Sequence, residues 1–380
     1  MEPQNIQLGS GALESPVDPR DWTLASVGAP TAYPSSVFLD TDWMIASMQG
    51  QIGCCVGCSG EEAVRHIIHL TTGLQSNPGT PNELSWRFVY AMAKALEGTP
   101  GYEQWQRTAG ANDGTYPSLV AQVIRKYGVP LAKFCPNDVS LSADDFCFGR
   151  VLAHIPAAAI ADAATRKSGA DLAEPVSLDG IQKALTYAKA NNGGVMILRK
   201  IGNSYWTAPD GTSSWDKNKI LPIRVPAPIV SGHEEFLTGY DFEPGTNRMR
   251  IYWLNHWSPG WADNGRGWEY ADVWLPFISE LRVIVAVLPA PAPTFKYHFT
   301  KQLNPGNTGP DVVALQHVLQ LEGCYSYPSF TGNYGPITTA GVKALQEKYA
   351  ADMLTPAGLT QGTGNVGPRT LAWLIKKYGN

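Results

Sequence analysis

The run from Gln49 to Ser59 places three thiols, Cys54, Cys55 and Cys58, at the head of an apolar stretch with helical spacing. A cysteine in the first turn of a helix lies in the positive end of the helix dipole. That field favours the thiolate, which is the nucleophilic form of the side chain. The helix reads from residue 55, so Cys55 is well placed for this chemistry, and Gln49, six residues upstream, can bring a side-chain amide to the same point. Amide hydrolysis through a thiol also needs a base, a group that orients the base, and donors for the oxyanion. His233, in the segment 231–240, is the best candidate base, and Asn255, in the segment 255–265, fits the orienter.

These residues must be carried by elements that the pattern locates. Gly60, Val64, Ile67 and Ile68 keep helical spacing within a helix over 55–72, where Glu61 can pair with Arg65. Further helices are expected at 84–96, 117–126 and 178–190, the last closed by Asn191-Asn192-Gly193. Strands are expected at 195–200, 235–240, 248–254 and 281–288. Helices first and strands later predict an α+β fold of two lobes, one helical and one rich in strand. Alternating prolines over Leu288–Thr294 mark a stiff spacer. The expected division is a catalytic domain over 1–287, a linker over 288–296 and a small domain over 297–380.

The small domain carries an internal repeat. Thr331-Gly-Asn-Tyr-Gly-Pro-Ile-Thr338 recurs as Thr363-Gly-Asn-Val-Gly-Pro-Arg-Thr370. Each copy reads as a turn with proline in the first turn of the helix that follows. A third helix is expected over 312–321, which makes a three-helix bundle.

Composition narrows the class. With 380 residues the chain is long enough for two domains, and a net charge of −4 gives no argument for a nucleic-acid partner. No apolar run is long enough for a membrane span, and residues 1–14 show no secretory leader, so action outside the cell would need another route, such as lysis. The six cysteines form no disulfide framework; Cys135 and Cys147 either pair or remain two buried thiols. His66 and His69 lack a third ligand nearby, so no metal or other cofactor is expected. The chain reads as a monomer.

The separated motifs resemble those of the papain-like cysteine peptidases. Gln49-Gly50 through Cys55 and Ser59 fits the family's nucleophile motif without a gap, which selects Cys55 over Cys54 and Cys58. His233 with Gly239-Tyr240 is similar to the family's histidine strand, and Asn255, Trp257, Gly260, Trp261 and Gly265 to its asparagine–tryptophan motif. Leu84-Ser85 and the turn Asp113–Tyr116 are similar to bacterial members, and the likeness spans roughly residues 30–287. It implies a Cys55–His233 thiolate–imidazolium pair, with Asn255 fixing the ring and Trp257 shielding that bond. It also implies an oxyanion site made by Gln49 and the Cys55 backbone N–H, and close substrate approach at Gly114. His256 occupies a variable position of the motif and is expected to play no catalytic part. Cys54 is read as a bystander and Cys58 as helix packing.

Four departures stand out. Ile52 replaces a disulfide cysteine, which fits folding in a reducing compartment, and Val56 replaces a tryptophan. Glu234 and Glu235 follow His233 where apolar residues are usual. A carboxylate there would raise the pKa of the histidine or favour a basic substrate group, and at least one of the two is expected to face solvent. Cys55 and His233 are 178 residues apart (233 minus 55), against about 130–150 in the family. Insertions near 155–175 and 203–228 are expected to account for the excess. Only 48 residues precede Gln49, so an enzyme made active, or nearly so, is expected.

Residues 299–380 resemble the bacterial peptidoglycan-binding domain of three helices, with no ligand residue identified beyond Tyr334 and the turn backbone as candidates. The combined reading is a cysteine endopeptidase moored to bacterial cell wall; the anchor favours a lysin, of phage origin, that cleaves peptidoglycan peptides. A protease of ordinary proteins moored there is the competing enzyme reading, and an inactive wall-binding protein is the alternative from another class.

Overall fold

The computed structural model describes residues 11–17, 23–27, 29, 32–107, 114–202, 229–286, 295–325 and 330–379. The chain forms two compact units, Met1–Pro289 and Ala290–Asn380. The spacer at 288–294 and the expected insertion at 203–228 lie outside the described residues, as does Asp113.

In the first unit the helices are α1 (Cys55–Thr72), α2 (Trp86–Leu96), α3 (Pro117–Lys126), the single turn α4 (Ala143–Phe146), α5 (Ala157–Ala163), α6 (Leu178–Ala190) and the single turn α7 (Ala271–Trp274). The sequence signals explain their ends. Gly73 closes α1 in the left-handed conformation, Pro117 occupies the first turn of α3, and Ser85 and Ser177 cap α2 and α6 by accepting backbone N–H bonds. α1 is the central helix. A Cβ on Gly57 would stand 2.8 Å from Tyr90 Cβ, and one on Gly60 would stand 2.6 Å from a Val120 methyl. The missing side chains let α2 and α3 pack directly against α1.

The strands are β1 (Val37–Phe38), β2 (Ala170–Glu174), β3 (Gly194–Gly202), β4 (Ile229–Phe242), β5 (Met249–Leu254), β6 (Arg266–Tyr270) and β7 (Ile278–Val285). They form one antiparallel sheet in the order β2-β7-β3-β4-β5-β6, with β1 on β4. β4 runs well beyond the expected 235–240 and carries His233 in register with Arg199 of β3. β7 starts three residues before the expected strand. The expected insertion at 155–175 supplies α5 and β2, and β2 extends the sheet beside β7. Short β1, β2 and β6 gave no alternating pattern long enough to be read.

The second unit holds α8 (Pro310–Leu321), α9 (Pro336–Lys348), the single turn α10 (Ala350–Met353) and α11 (Pro368–Tyr378) around Leu315, Leu319, Val342, Leu345 and Leu374. The sequence repeat is also a repeat of hydrogen bonds. Gln316 donates to the Asn333 carbonyl and Thr338 hydroxyl and accepts from Gly332 N–H. Gln346 does the same with Asn365, Thr370 and Gly364. Each turn is thus held by one buried glutamine from the helix before it.

Glu322, at the end of α8, closes the bundle by accepting from Lys377, Tyr349, Tyr378 and Lys348. Burial raises its pKa, but those donors outweigh it and hold the carboxyl at about 2. The group therefore stabilises the folded unit fully above its ordinary value near 4.5, and that stability is lost as pH falls towards 2. Glu322→Gln should cost this unit about 1–2 kcal/mol at pH 7, screening by the half-exposed lysines included, and almost nothing at pH 2. Hydrogen exchange of the α8, α9 and α11 amides reads this; an equal effect at both pH values would contradict it.

Candidate active site

α1 starts at Cys55, and its first intrahelical bond runs from Cys58 N–H to the Cys54 carbonyl at 3.0 Å. Cys55 is therefore in the first turn, where the dipole acts. Its side chain is fully buried, with the backbone N–H of Glu234 directed at the sulfur. β4 thus brings His233, the neighbour of Glu234, to the head of α1.

Asn255 lies just beyond β5. His233 Nε2 and Asn255 Oδ1 are 3.0 Å apart, and the same oxygen accepts the His256 backbone N–H at 2.8 Å. Two donors fix the carboxamide, and the carboxamide fixes the ring. Trp257 stacks on His233 with ring centres 4.6 Å apart, and Trp261 meets Trp257 edge-on. Gln49 N–H donates to the His256 carbonyl at 2.9 Å, Ser258 N–H to Ser47, and Met48 bridges Trp257. One backbone ladder therefore links the Gln49 turn to the Asn255 loop. The Gln49 side chain is buried and donates to the Ile52 carbonyl at 2.8 Å.

Glu234 and Glu235 are both buried, which corrects the expectation that one faces solvent. Glu235 pairs with Arg199, which also bonds Glu269 at 2.7 Å and lies between the faces of Trp253 and Trp274. His256 packs beside the site rather than away from it. Its ring centre is 5.2 Å from that of His233, and its Nδ1 is 3.6 Å from Glu62. Glu61 and Glu62 flank Arg65 inside α1. Burial pushes both carboxyls up to about 8 against the pull of Arg65. The signal for these partners was present in the sequence as charges within apolar runs: Arg199 in β3, and Glu61, Glu62 and Arg65 in α1. His66 holds the Gly193 carbonyl at 2.9 Å, and no disulfide joins the buried Cys135 and Cys147.

Residues 11–15 cross the cleft. Gly11 and Ala12 N–H both donate to the Gly232 carbonyl, at 2.9 and 3.0 Å. On the opposite wall Thr115 N–H donates to Gly11 and Leu13 N–H to Thr115. Glu14 pairs with Lys200, Ser15 N–H donates to Glu280, and Ser118 N–H donates to Ser15 Oγ. Gly114, whose carbonyl accepts from Lys94, lies against the Gly11 backbone. Residues 11–13 are thus held between Gly232, which precedes His233, and Thr115.

Burial sets the charge state of the site. Burial pushes the Cys55 thiol well above its usual range and lowers His233 to about 3, although Glu235 pulls the histidine the other way. Covered, the site holds a neutral thiol and a neutral imidazole.

The first unit has the papain-like fold. Xylellain, a cysteine protease from Xylella fastidiosa, matches 74% of this chain and 97% of its own at 18% identity, with a TM-score of 0.56. A cysteine protease from Carica candamarcensis matches 67% of this chain and 99% of its own at 15% identity, with a TM-score of 0.44. Residues 308–374 match the family model described as "Putative peptidoglycan binding domain". No curated protein matches the chain.

Removing the cation leaves the buried Glu235 without its ion-pair partner. Arg199→Met should destabilise the first unit by about 3–5 kcal/mol. Lys200→Met, which removes only the exposed pair with Glu14, should cost under about 1 kcal/mol. Urea unfolding of the two variants checks the contrast; equal costs would contradict the assigned role of Arg199.

Proposed function

We propose that this protein is a cysteine endopeptidase that cleaves peptides of bacterial cell wall and is held there by residues 297–380. The single observation that carries the peptidase reading is the His233–Asn255 bond under Trp257, with Cys55 at the head of α1 against the backbone of Glu234, the neighbour of His233. The residue 308–374 match supports peptidoglycan as the moored polymer.

In this reading the catalytic domain spans 1–287 and residues 288–296 link it to the wall-binding domain. Once residues 11–15 leave the cleft and water enters, the Cys55 proton passes to His233. Nε2 is engaged by Asn255, so the imidazole uses Nδ1. The thiolate attacks the peptide carbonyl, and its oxygen becomes an oxyanion that the Gln49 amide and the Cys55 backbone N–H stabilise. The imidazolium then protonates the leaving amine, the C–N bond breaks and a thioester remains. Water, deprotonated by His233, hydrolyses the thioester and restores the thiol. Gly114 accommodates the substrate backbone. No step calls on a metal or a cofactor.

The wall-binding domain adds no chemistry. A module bound to polymer raises the local concentration of scissile bonds around the tethered enzyme. The chain acts as a monomer on a peptide substrate at the cell wall, without a nucleic-acid or membrane partner. No described helix is long and apolar enough to cross a membrane.

Mass spectrometry of purified peptidoglycan incubated with wild type and Cys55→Ala tests the proposal. New amino termini should appear with wild type alone, and Gln49→Ala should release them about 10²–10³-fold more slowly. Muropeptides left intact by wild type while casein is cleaved would move the substrate to ordinary proteins. Failure to cleave either would leave an inactive wall-binding protein.

A further inference from the structure

His256 stands where several parts of the site meet, and no step of the proposed reaction uses its side chain. Its backbone serves two groups that do have roles there. The N–H donates to Asn255 Oδ1 at 2.8 Å, and the carbonyl accepts from Gln49 N–H at 2.9 Å. One residue therefore connects the carboxamide that orients His233 with the turn that carries the oxyanion donor. A shift of its main chain would disturb both at once.

Its ring reaches the other elements of the site. The ring centre lies 5.2 Å from that of His233, and the ring faces the backbone of Glu234, whose N–H is directed at the Cys55 sulfur. Nδ1 stands 3.6 Å from Glu62 Oε2, while Glu62 Oε1 stands 3.6 Å from Arg65. Glu62 follows Cys55 by seven residues (62 minus 55), about two helical turns, so it lies on the face of α1 that bears the nucleophile. His256 and Glu62 are both fully buried, where a polar group that loses its neighbour finds no water to replace it. The contact therefore resists separation and fixes the main chain on either side of the ring. The ring also stays out of the charge balance. Burial lowers His256 to about 3, although the Glu235 carboxylate pulls it the other way, so at neutral pH it adds no second cation beside His233.

We infer that His256 is a positioning residue, whose ring is held against Glu62 of α1 and so sets the main chain that orients Asn255 and seats the Gln49 turn. The thiol and its oxyanion donor are then tied through one helix: α1 carries Cys55 at its head and, further along the same face, the carboxyl that places residue 256. The inference rests on the peptidase reading for the roles of Asn255 and Gln49.

Hydrogen exchange of the residue 49 and residue 256 amides, followed by NMR in the full chain against the buried Leu281 and Val283 amides of β7, tests it without turnover. His256→Leu keeps the bulk and loses the polar contact. It should speed exchange at both positions at least about tenfold relative to the β7 amides. His256→Asn retains a polar atom at the place of Nδ1 and should keep both within about threefold of wild type. Glu62→Leu removes the contact from the α1 side and should speed the same two amides at least about tenfold, which also serves if His256→Leu does not fold. Unchanged exchange at residues 49 and 256 overturns the inference, as does acceleration of the β7 amides by the same factor. On peptidoglycan, His256→Leu should slow the release of new amino termini at least about tenfold in wild type, and by a factor at least about threefold smaller in Gln49→Ala. Equal factors in the two backgrounds would overturn positioning through Gln49. A wild type that releases no amino termini refutes the peptidase reading alone, because amide exchange still reads the contact.

Discussion

The exclusion of water from the Cys55–His233 site governs the rest of the structure. Two effects compete there. The start of α1 favours a thiolate by about 0.3–2 kcal/mol, whereas full burial of a charge costs several kcal/mol. Burial wins, and both groups rest neutral. The cover is a few residues of extended chain, fastened by backbone bonds to Gly232 on one side and Thr115 on the other. In the proposed mechanism, the thiol proton passes to the imidazole once water enters the site. The net charge is unchanged by that transfer, so pH alone sets neither the covered nor the open state. In that mechanism, building the geometry is separate from charging it.

That geometry is held by parts with little freedom. Asn255 is oriented by the His256 backbone N–H as it meets His233, and the Gln49 turn is tied to the same loop by its own backbone. Beneath them lie buried charges that contribute little net stability but penalise any displacement, because losing a partner strands a charge away from water. Arg199 joins β3, β4 and β6 through Glu235 and Glu269. Lys94 and Arg150 converge on Glu97, and Lys94 also holds the Gly114 carbonyl at the cleft wall. In the second unit, Gln316 and Gln346 serve a comparable purpose for the two turns.

Much of this was legible from residue types and spacing. α1, α3 and α6 have the ends that their caps and periodicity predict, and the papain-like fold followed from three motifs in order. What was not legible depended on long-range pairing. β1 has two residues, and β2 and β6 have five each, too few for alternation to stand out. The fates of Glu234 and Glu235 depended on partners on other strands. His256 looked incidental because adjacency in sequence does not disclose the Glu62 carboxylate that packs beside it. The role of residues 11–15 was hidden for the same reason. Nothing local marks Gly11-Ala12, and only the opposed backbones of Gly232 and Thr115 give them a place.

The central claim is that burial holds the proposed catalytic pair, Cys55 and His233, neutral. A pH titration of the His233 ring nitrogens by NMR, in the full chain labelled with ¹⁵N-histidine and assigned with His233→Gln, tests it most directly. The account predicts a neutral ring protonated at Nε2, facing Asn255, that takes up a second proton only near pH 3. A ring in the covered protein that titrates near its ordinary value of 6.5, or that is already an imidazolium at neutral pH, would contradict it.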